Sequence, residues 1–157
     1  MESNVEYKIV NNSFKGISPD DLIADHKEIL QVGKINDGER VGEGFIIEVS
    51  GQELGYVMPN KEDKRRIGNI TIQSAEDVTE EGIKVGDMFK DALTKYPNLK
   101  AKRGKNGKKV YIKVGRLAFL LDLCAEGKSV SIKEIPETTV ILELKILLKK
   151  IGKRLKS

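Results

Sequence analysis

Hydrophobic and polar residues alternate along most of this chain, which predicts short β-strands, but two segments follow the three-and-four spacing of an amphipathic helix. The first predicted helix is residues 18–30, where Ser18 suits the N-cap and Pro19 the first helical position. The second is residues 87–96, with Asp87 as the predicted N-cap. The hydrophobic face of the first helix is made of Leu22, Ile23, His26, Ile29 and Leu30, and that of the second of Met88, Phe89, Ala92, Leu93 and Tyr96.

Each predicted helix follows a short strand and precedes strands joined as hairpins. The dipeptide Asn106-Gly107 is typical of the two-residue turn between antiparallel strands, and residues 50–53 connect the earlier pair. Residues 140–151 also fit a helical spacing, and we choose a strand as far as residue 146 because residues 138–141 favour extended backbone. The predicted strands are residues 7–10, 45–49, 54–58, 70–72, 99–105, 108–114, 117–123, 130–132 and 140–146.

The order of strand, helix and hairpins occurs twice along the chain. This order predicts an α+β fold in which two related strand–helix–antiparallel hairpin units share a twisted sheet. We expect a single domain, 1–157, with halves at about 5–72 and 70–146 and a basic C-terminal tail at 147–157. Hydrophobic residues make up 39% of the chain, which is enough for a packed interior.

The charge is divided unevenly between the two ends of the chain. Residues 1–96 contain 12 Lys and Arg against 19 Asp and Glu, whereas residues 97–157 contain 16 against 5. This asymmetry favours a basic surface for an anionic partner, although the two halves could also neutralise each other within one body.

The basic residues of the second half concentrate around the Asn106-Gly107 turn. A basic two-stranded ribbon is able to follow phosphates, so an anion-binding site is the alternative function that we predict here. Tyr111 is the single aromatic residue in the ribbon, and no known nucleic-acid-binding motif accompanies it. The candidate anion-binding residues are Lys102, Arg103, Lys105, Lys108, Lys109, Lys113 and Arg116.

The sequence contains no pattern that predicts catalysis or metal binding. His26 is the only histidine, and it lies on the hydrophobic face of the first predicted helix without a nucleophile motif beside it. Cys124, the only cysteine, excludes an intrachain disulfide and a metal site made of several cysteines. We therefore predict no catalytic residues, no metal site and no cofactor.

Three segments near the middle of the chain carry a resemblance to a known family. They are Gly-Asn-Ile-Thr-Ile at 68–72, Thr-Glu-Glu-Gly-Ile-Lys-Val-Gly-Asp at 79–87, and the helix that ends before Tyr96-Pro97. Over about a third of the chain these segments resemble an uncharacterised family of bacterial envelope lipoproteins associated with envelope stress. The resemblance implies a non-catalytic domain in the periplasm. The plan of helix and hairpins is also similar to tandem-repeat inhibitors and outer-membrane assembly modules, which grip proteins with a concave sheet.

The function predicted from these features is a non-catalytic binding or scaffolding domain. Its partner would be a protein or an envelope component, with nucleic acid as a less favoured partner. No hydrophobic run reaches the ~18–20 residues that a membrane-spanning helix needs. The expected location is the periplasm or envelope if this chain is a mature domain from which an export signal was removed. It is the cytoplasm if Met1 is native.

Overall fold

Strands dominate the structure of this chain. The structure is a computed structural model, and it describes residues 8–9, 13–36, 41–103, 109–124 and 131–148. The strands are β1 (Lys8–Ile9), β2 (Leu30–Asn36), β3 (Val41–Val49), β4 (Gln52–Pro59), β5 (Ile67–Ile72), β6 (Val78–Thr79), β7 (Lys100–Arg103), β8 (Lys109–Val114), β9 (Leu117–Cys124) and β10 (Ile141–Ile146). The α-helix among the described residues is α1 (Phe89–Lys95), and short 3₁₀-helices span Ile23–His26 and Ile132–Glu134.

Eight of these strands form one antiparallel sheet in the order β2-β3-β4-β5-β10-β9-β8-β7. Strands β2 to β5 are a meander, β7 to β10 are a second meander, and the pairing of β5 with β10 joins the two. Strands β2 and β7 are consequently the two edges of the sheet. Strands β1 and β6 form a separate parallel pair.

The main hydrophobic core covers one face of this sheet. The register places one residue from each of the eight strands in a single row on that face, because side chains of antiparallel partners point the same way. Phe14 and Ile17 from the segment before β2, together with Phe89 and Ala92 of α1, are buried in the same core. The row consists of Leu30, Ile47, Gly55, Ile72, Leu144, Phe119, Ile112 and Ala101.

The predicted α+β fold of two strand–helix–hairpin units is wrong, because residues 18–30 do not form an α-helix. Asp20 has a positive φ of 79°, which interrupts a right-handed helix. The N–H of Asp20 donates to the carbonyl of Ile67, and the N–H of Ile23 donates to that of Arg65. The N–H of Ile67 also donates to the carbonyl of Asp21. The carbonyl of Asp21 and the N–H of Ile23, which a helix would pair internally, are thus bonded to residues far along the chain, and only the short 3₁₀-helix Ile23–His26 remains.

The segment after this 3₁₀-helix contains a strand that the pattern did not predict. Gly33 lies in the middle of β2, and Gly44 lies inside β3 opposite it. A β-carbon at Gly44 would come within 2.9 Å of the carbonyl oxygen of Val57 on the next strand. These glycines therefore allow strands to approach closely and do not mark a turn.

Other predicted elements are found with small changes in their bounds. The hairpin over 45–58 is confirmed as β3 and β4, whose turn has positive φ at Ser50 and Gly51. The predicted helix 87–96 is α1, and the strand ending at residue 146 is β10. Residues 132–134 form a 3₁₀-helix, so the strand predicted there is wrong. The Asn106-Gly107 turn and most of the basic tail lie outside the described residues.

The loop before Ile23–His26 and the loop before α1 each contain the same kind of hydrogen bond, from a backbone N–H to the carboxylate of an aspartate three residues later. The carboxylate of Asp21 accepts from the N–H of Ser18 at 3.0 Å, and that of Asp87 accepts from the N–H of Lys84 at 3.0 Å. Both aspartates therefore close a turn, and the N-cap of α1 is Met88 and not the predicted Asp87. These contacts do not restore the predicted units, because only the second loop leads into an α-helix.

Candidate functional site

The sheet face opposite the main core, which we call the outer face, carries a second row of side chains across all eight strands. Its members alternate with the core row along each strand, so their side chains point to the other side of the sheet. The row changes from hydrophobic and uncharged residues at the β2 end to basic residues at the β7 end. In strand order it consists of Gln31, Ile46, Tyr56, Thr71, Lys145, Ala118, Lys113 and Lys100.

The β2 end of the outer face has a small hydrophobic cluster of its own. Ile35, Tyr56 and Met58 are buried in it, and Ile46 packs against them half-buried. These residues come from β2, β3 and β4, and alternation along each strand keeps them separate from the main core. Because its three main members are buried, the cluster is a second, smaller hydrophobic core of the fold.

A buried lysine lies in the middle of the outer face. Lys145 on β10 is only 7% exposed, and its Nζ donates to the Oγ1 of Thr71 on β5 at 2.7 Å. The same Nζ lies 5.7 Å from the ring centre of Tyr56, which is within range of a cation–π interaction. Lys145 therefore connects the hydrophobic end of the face to its basic end.

The β7 end of the outer face is basic. Lys100 on β7 and Lys113 on β8 are directly opposite each other, and Lys102 is opposite Tyr111 in the same ladder. Lys109 lies on the same face by alternation along β8. Within the described part of the chain, no carboxylate forms an ion pair with Lys100, Lys102 or Lys113. Neighbouring like charges repel each other, so this end of the face favours a negatively charged partner.

The structure brings only some of the predicted anion-binding residues together. Lys102, Lys109 and Lys113 share the outer face, whereas the Nε of Arg116 donates to the carbonyl of Leu147 at 2.9 Å and ties the β8–β9 turn to the end of β10. For Arg103 the structure describes only the backbone, which pairs with Val110. Lys105 and Lys108 lie outside the described residues.

Lys145 was not predicted as part of the site. It stands between Leu144 and Ile146 in a hydrophobic strand, and it is distant in sequence from the basic hairpin. Its one sequence signal is the alternation of that strand, which puts a charged residue on the face opposite Leu144 and Ile146.

His26 forms a polar contact away from the outer face. Its Nε2 lies 2.9 Å from the Oδ2 of Asp21, which also accepts the N–H of Ser18. The imidazole therefore holds the turn before β2 through the carboxylate. Across the described residues there is no group of three or more His, Cys, Asp or Glu placed to hold a metal ion.

A buried hydroxyl pair connects α1 to β6. The Tyr96 hydroxyl donates to the Oγ1 of Thr79 at 2.8 Å, and the same oxygen accepts the N–H of Ile83 at 3.1 Å. Burial, the largest cause, raises the pKa of Tyr96 to about 12. Thr79 thus serves two donors inside the fold, and the phenol stays neutral far above neutral pH.

Thr79→Val should destabilise the protein more than Tyr96→Phe does. The valine leaves two buried donors without an acceptor, which costs about 1–3 kcal/mol, whereas the phenylalanine removes one hydrogen bond worth about 1 kcal/mol. Urea unfolding at pH 7 measures both losses.

Tyr96 also predicts a loss of stability in alkali. Because the pKa of Tyr96 in the folded protein is about 12, against 10.0 for the unfolded chain, the unfolded chain releases this proton first. The free energy of unfolding should therefore fall between pH 10 and 12, and the fall should be smaller in Tyr96→Phe. An equal fall in both proteins would contradict the assignment.

Comparison with known proteins identifies a similar fold. No protein-family model matches the chain, and neither does any curated protein. The crystal structure of the uncharacterized protein yfeY from Escherichia coli is similar to this chain with a TM-score of 0.51. The similarity covers 75% of this chain and 80% of yfeY, at 12% sequence identity. It shows a shared fold and carries no information about ligand or location.

No helix in the described ranges has the length and hydrophobicity needed to cross a membrane.

Proposed function

We propose that this chain is a non-catalytic binding domain that takes an acidic protein partner on its outer face. The observation that supports this function is the basic end of the outer face, where Lys100 and Lys102 are exposed and Lys113 lies directly opposite Lys100. The lysines at this end would select a negatively charged partner.

The distance between the two accessible ends of the outer face favours a protein over a small ligand. Eight strands spaced about 4.8 Å apart give a row roughly 34 Å long. Gln31 on β2 and Lys100 and Lys102 on β7 are exposed at its two ends, whereas Tyr56, Thr71, Lys145 and Ala118 between them are buried. Only a partner of protein size contacts both ends, and Lys145 lies between them, buried inside the fold.

Photo-crosslinking tests which surface binds the partner. A photoreactive amino acid at Gln31 or Lys113 on the outer face should capture a partner in cells, and the same residue at Lys90 on α1 should not. Lys90 is exposed and lies on the helix side of the sheet, so it is a matched position on the opposite surface. Capture from Lys90 alone would contradict the proposal.

Charge reversal then tests the lysines against the identified partner. Lys100→Glu with Lys113→Glu should weaken binding at least 10-fold by calorimetry, because it places two negative charges against an acidic surface. Lys27→Glu with Lys90→Glu changes the net charge equally at exposed positions elsewhere and should leave the affinity unchanged. Equal losses in the two double variants would mean that the lysines act only through net charge.

Binding of an anionic polymer is a second candidate function. It is favoured by the directly opposed Lys100 and Lys113, with Lys102 and Lys109 on the same face. A single-stranded oligonucleotide or heparin should then bind at 50 mM salt and lose affinity steeply by 200 mM, and Lys102→Glu with Lys109→Glu should abolish binding. Absence of binding at low salt would remove this candidate. The envelope location implied by the family resemblance remains a prediction.

A further inference from the structure

Strand β2 is a long edge strand with an exposed hydrophobic residue at its centre. It pairs with β3 in an unbroken register from Leu30 to Asn36. Val32 is 64% exposed, more than any other large hydrophobic residue that the structure describes. On the side of β2 that faces away from β3, no backbone group of the described chain forms a hydrogen bond with residues 30–36. An edge of this kind is a template for another strand.

The opposite edge of the sheet differs from β2 in ways that discourage pairing. Strand β7 spans four of the described residues, Lys100–Arg103, and Lys100 and Lys102 on it are exposed. Short edge strands and lysines are the features with which proteins prevent strands from joining. Strand β2 has seven residues and one lysine, Lys34, so the two edges are not equivalent.

We propose that β2 pairs antiparallel with β2 of a second copy of this chain, with the two Val32 residues directly opposite each other on the symmetry axis. A β-strand is the partner that satisfies a row of backbone donors and acceptors. The copy offers a hydrophobic side chain where this chain exposes one, so both valines become buried. The dimer joins two eight-stranded sheets and closes with two-fold symmetry, leaving the β7 edges at its ends.

This register also separates the charges of the two strands. Lys34 of one copy lies opposite Leu30 of the other, where its aliphatic stem has a hydrophobic neighbour. The two Lys34 residues are four positions apart along the ladder, which is about 13 Å at the rise of a strand. Pairing with β7 instead would place the basic β7 edge on a shorter ladder and would produce open filaments.

Disulfide trapping tests the pairing and its register. Val32→Cys in a Cys124→Ser background, which removes the exposed native thiol, should give a covalent dimer on mild oxidation of the folded protein. Directly opposite residues have β-carbons about 4.5–5.5 Å apart, close to what a disulfide needs. Lys34→Cys in the same background is the control, and it should form at least 10-fold less dimer. Equal trapping at both positions, or none at Val32→Cys, would overturn the proposal.

Sedimentation of the unmodified protein provides the second measurement. The mass of the 17.5 kDa chain should rise toward that of a dimer as the concentration increases into the high micromolar range. Val32→Lys should weaken the dimer at least 10-fold, because it puts like charges directly opposite each other at an exposed position. Gln52→Lys, which adds the same charge at an exposed position of β4, should not weaken the dimer. A chain that stays monomeric at every concentration, or that pairs through β2 only with another protein, would contradict the proposal.

Discussion

Gly55→Ala is expected to destabilise the fold by at least about 3 kcal/mol, at the upper end of what overpacking costs. A β-carbon at Gly55 would overlap the carbonyl oxygen of Thr71 and lie 3.0 Å from the Cα of Ile72. Both atoms belong to the backbone of β5, so no side-chain rotation relieves the clash. Strands β4 and β5 would have to separate at the centre of the sheet. Circular dichroism during urea unfolding measures the effect, and loss of soluble folded protein is the extreme form of it.

Gly42→Ala is the matched control for this prediction. Gly42 also lies inside a strand, β3, but no atom lies within 4 Å of the position that its β-carbon would take. Alanine there should change stability by less than about 1 kcal/mol, with a small gain from the lower entropy of the unfolded chain. If the two alanine variants had equal stability, the close approach of β4 and β5 would not be a feature of the folded protein.

Lys15→Met is expected to destabilise the protein by about 3–5 kcal/mol at pH 7, the usual cost of leaving one buried charge without its partner. The Nζ of Lys15 lies 3.3 Å from the Oδ1 of Asp77, and the two side chains are 9% and 1% exposed. The pair joins the loop before β2 to the residue that precedes β6. Burial, the largest cause, raises the pKa of Asp77, and the nearby Lys15 opposes that shift.

The pH dependence of this loss identifies its cause. Because the pKa of Asp77 is raised in the folded protein, its favourable contribution is present at low pH and is lost as the pH rises through the folded pKa. Removing Lys15 raises that pKa further, so the deficit of Lys15→Met should shrink as the pH falls from 7 toward 4. The double variant Lys15→Met with Asp77→Leu should recover most of the stability. A deficit that is independent of pH would contradict this explanation.

The residues that form hairpins were predictable because the signal is local. In β3 and β4 the alternation of side chains and the turn at Ser50-Gly51 lie within about 15 residues, and strand pairing between neighbours in sequence requires nothing else. For α1, the spacing of Phe89 and Ala92 and the ending before Pro97 were likewise sufficient.

The first predicted helix failed because distant residues compete for its backbone. Its hydrophobic spacing is genuine, and Phe14, Ile17 and Leu30 around it are buried in the core. Local propensity is a weak preference of a few tenths of a kcal/mol per residue, and the hydrogen bonds from Asp20 and Ile23 to the 65–67 segment outweigh it. No pattern within residues 18–30 shows that the 65–67 segment competes for these backbone hydrogen bonds.

The candidate site divides in the same way. The basic end of the outer face comes from one hairpin, so Lys102, Lys109 and Lys113 were predictable as neighbours. The hydrophobic end comes from β2, β3 and β4, and Lys145 comes from β10, which reaches the centre of the sheet only because it pairs with β5. A lysine between leucine and isoleucine is not recognisable as part of a site until that pairing is known.

The sequence alone determined the antiparallel hairpins, the helix α1, the uneven distribution of charge and the basic ribbon. These features depend on contacts between residues that are close in sequence, where periodicity and turn chemistry act directly. The joining of two meanders through β5 and β10, the exposed β2 edge, the buried Lys15–Asp77 pair and the continuous outer face arise only in the folded protein. The β5–β10 pairing, the Lys15–Asp77 pair and the continuous outer face each require segments more than 50 residues apart to meet. The loop-closure entropy of these meetings is offset by the whole core and not by any local pattern.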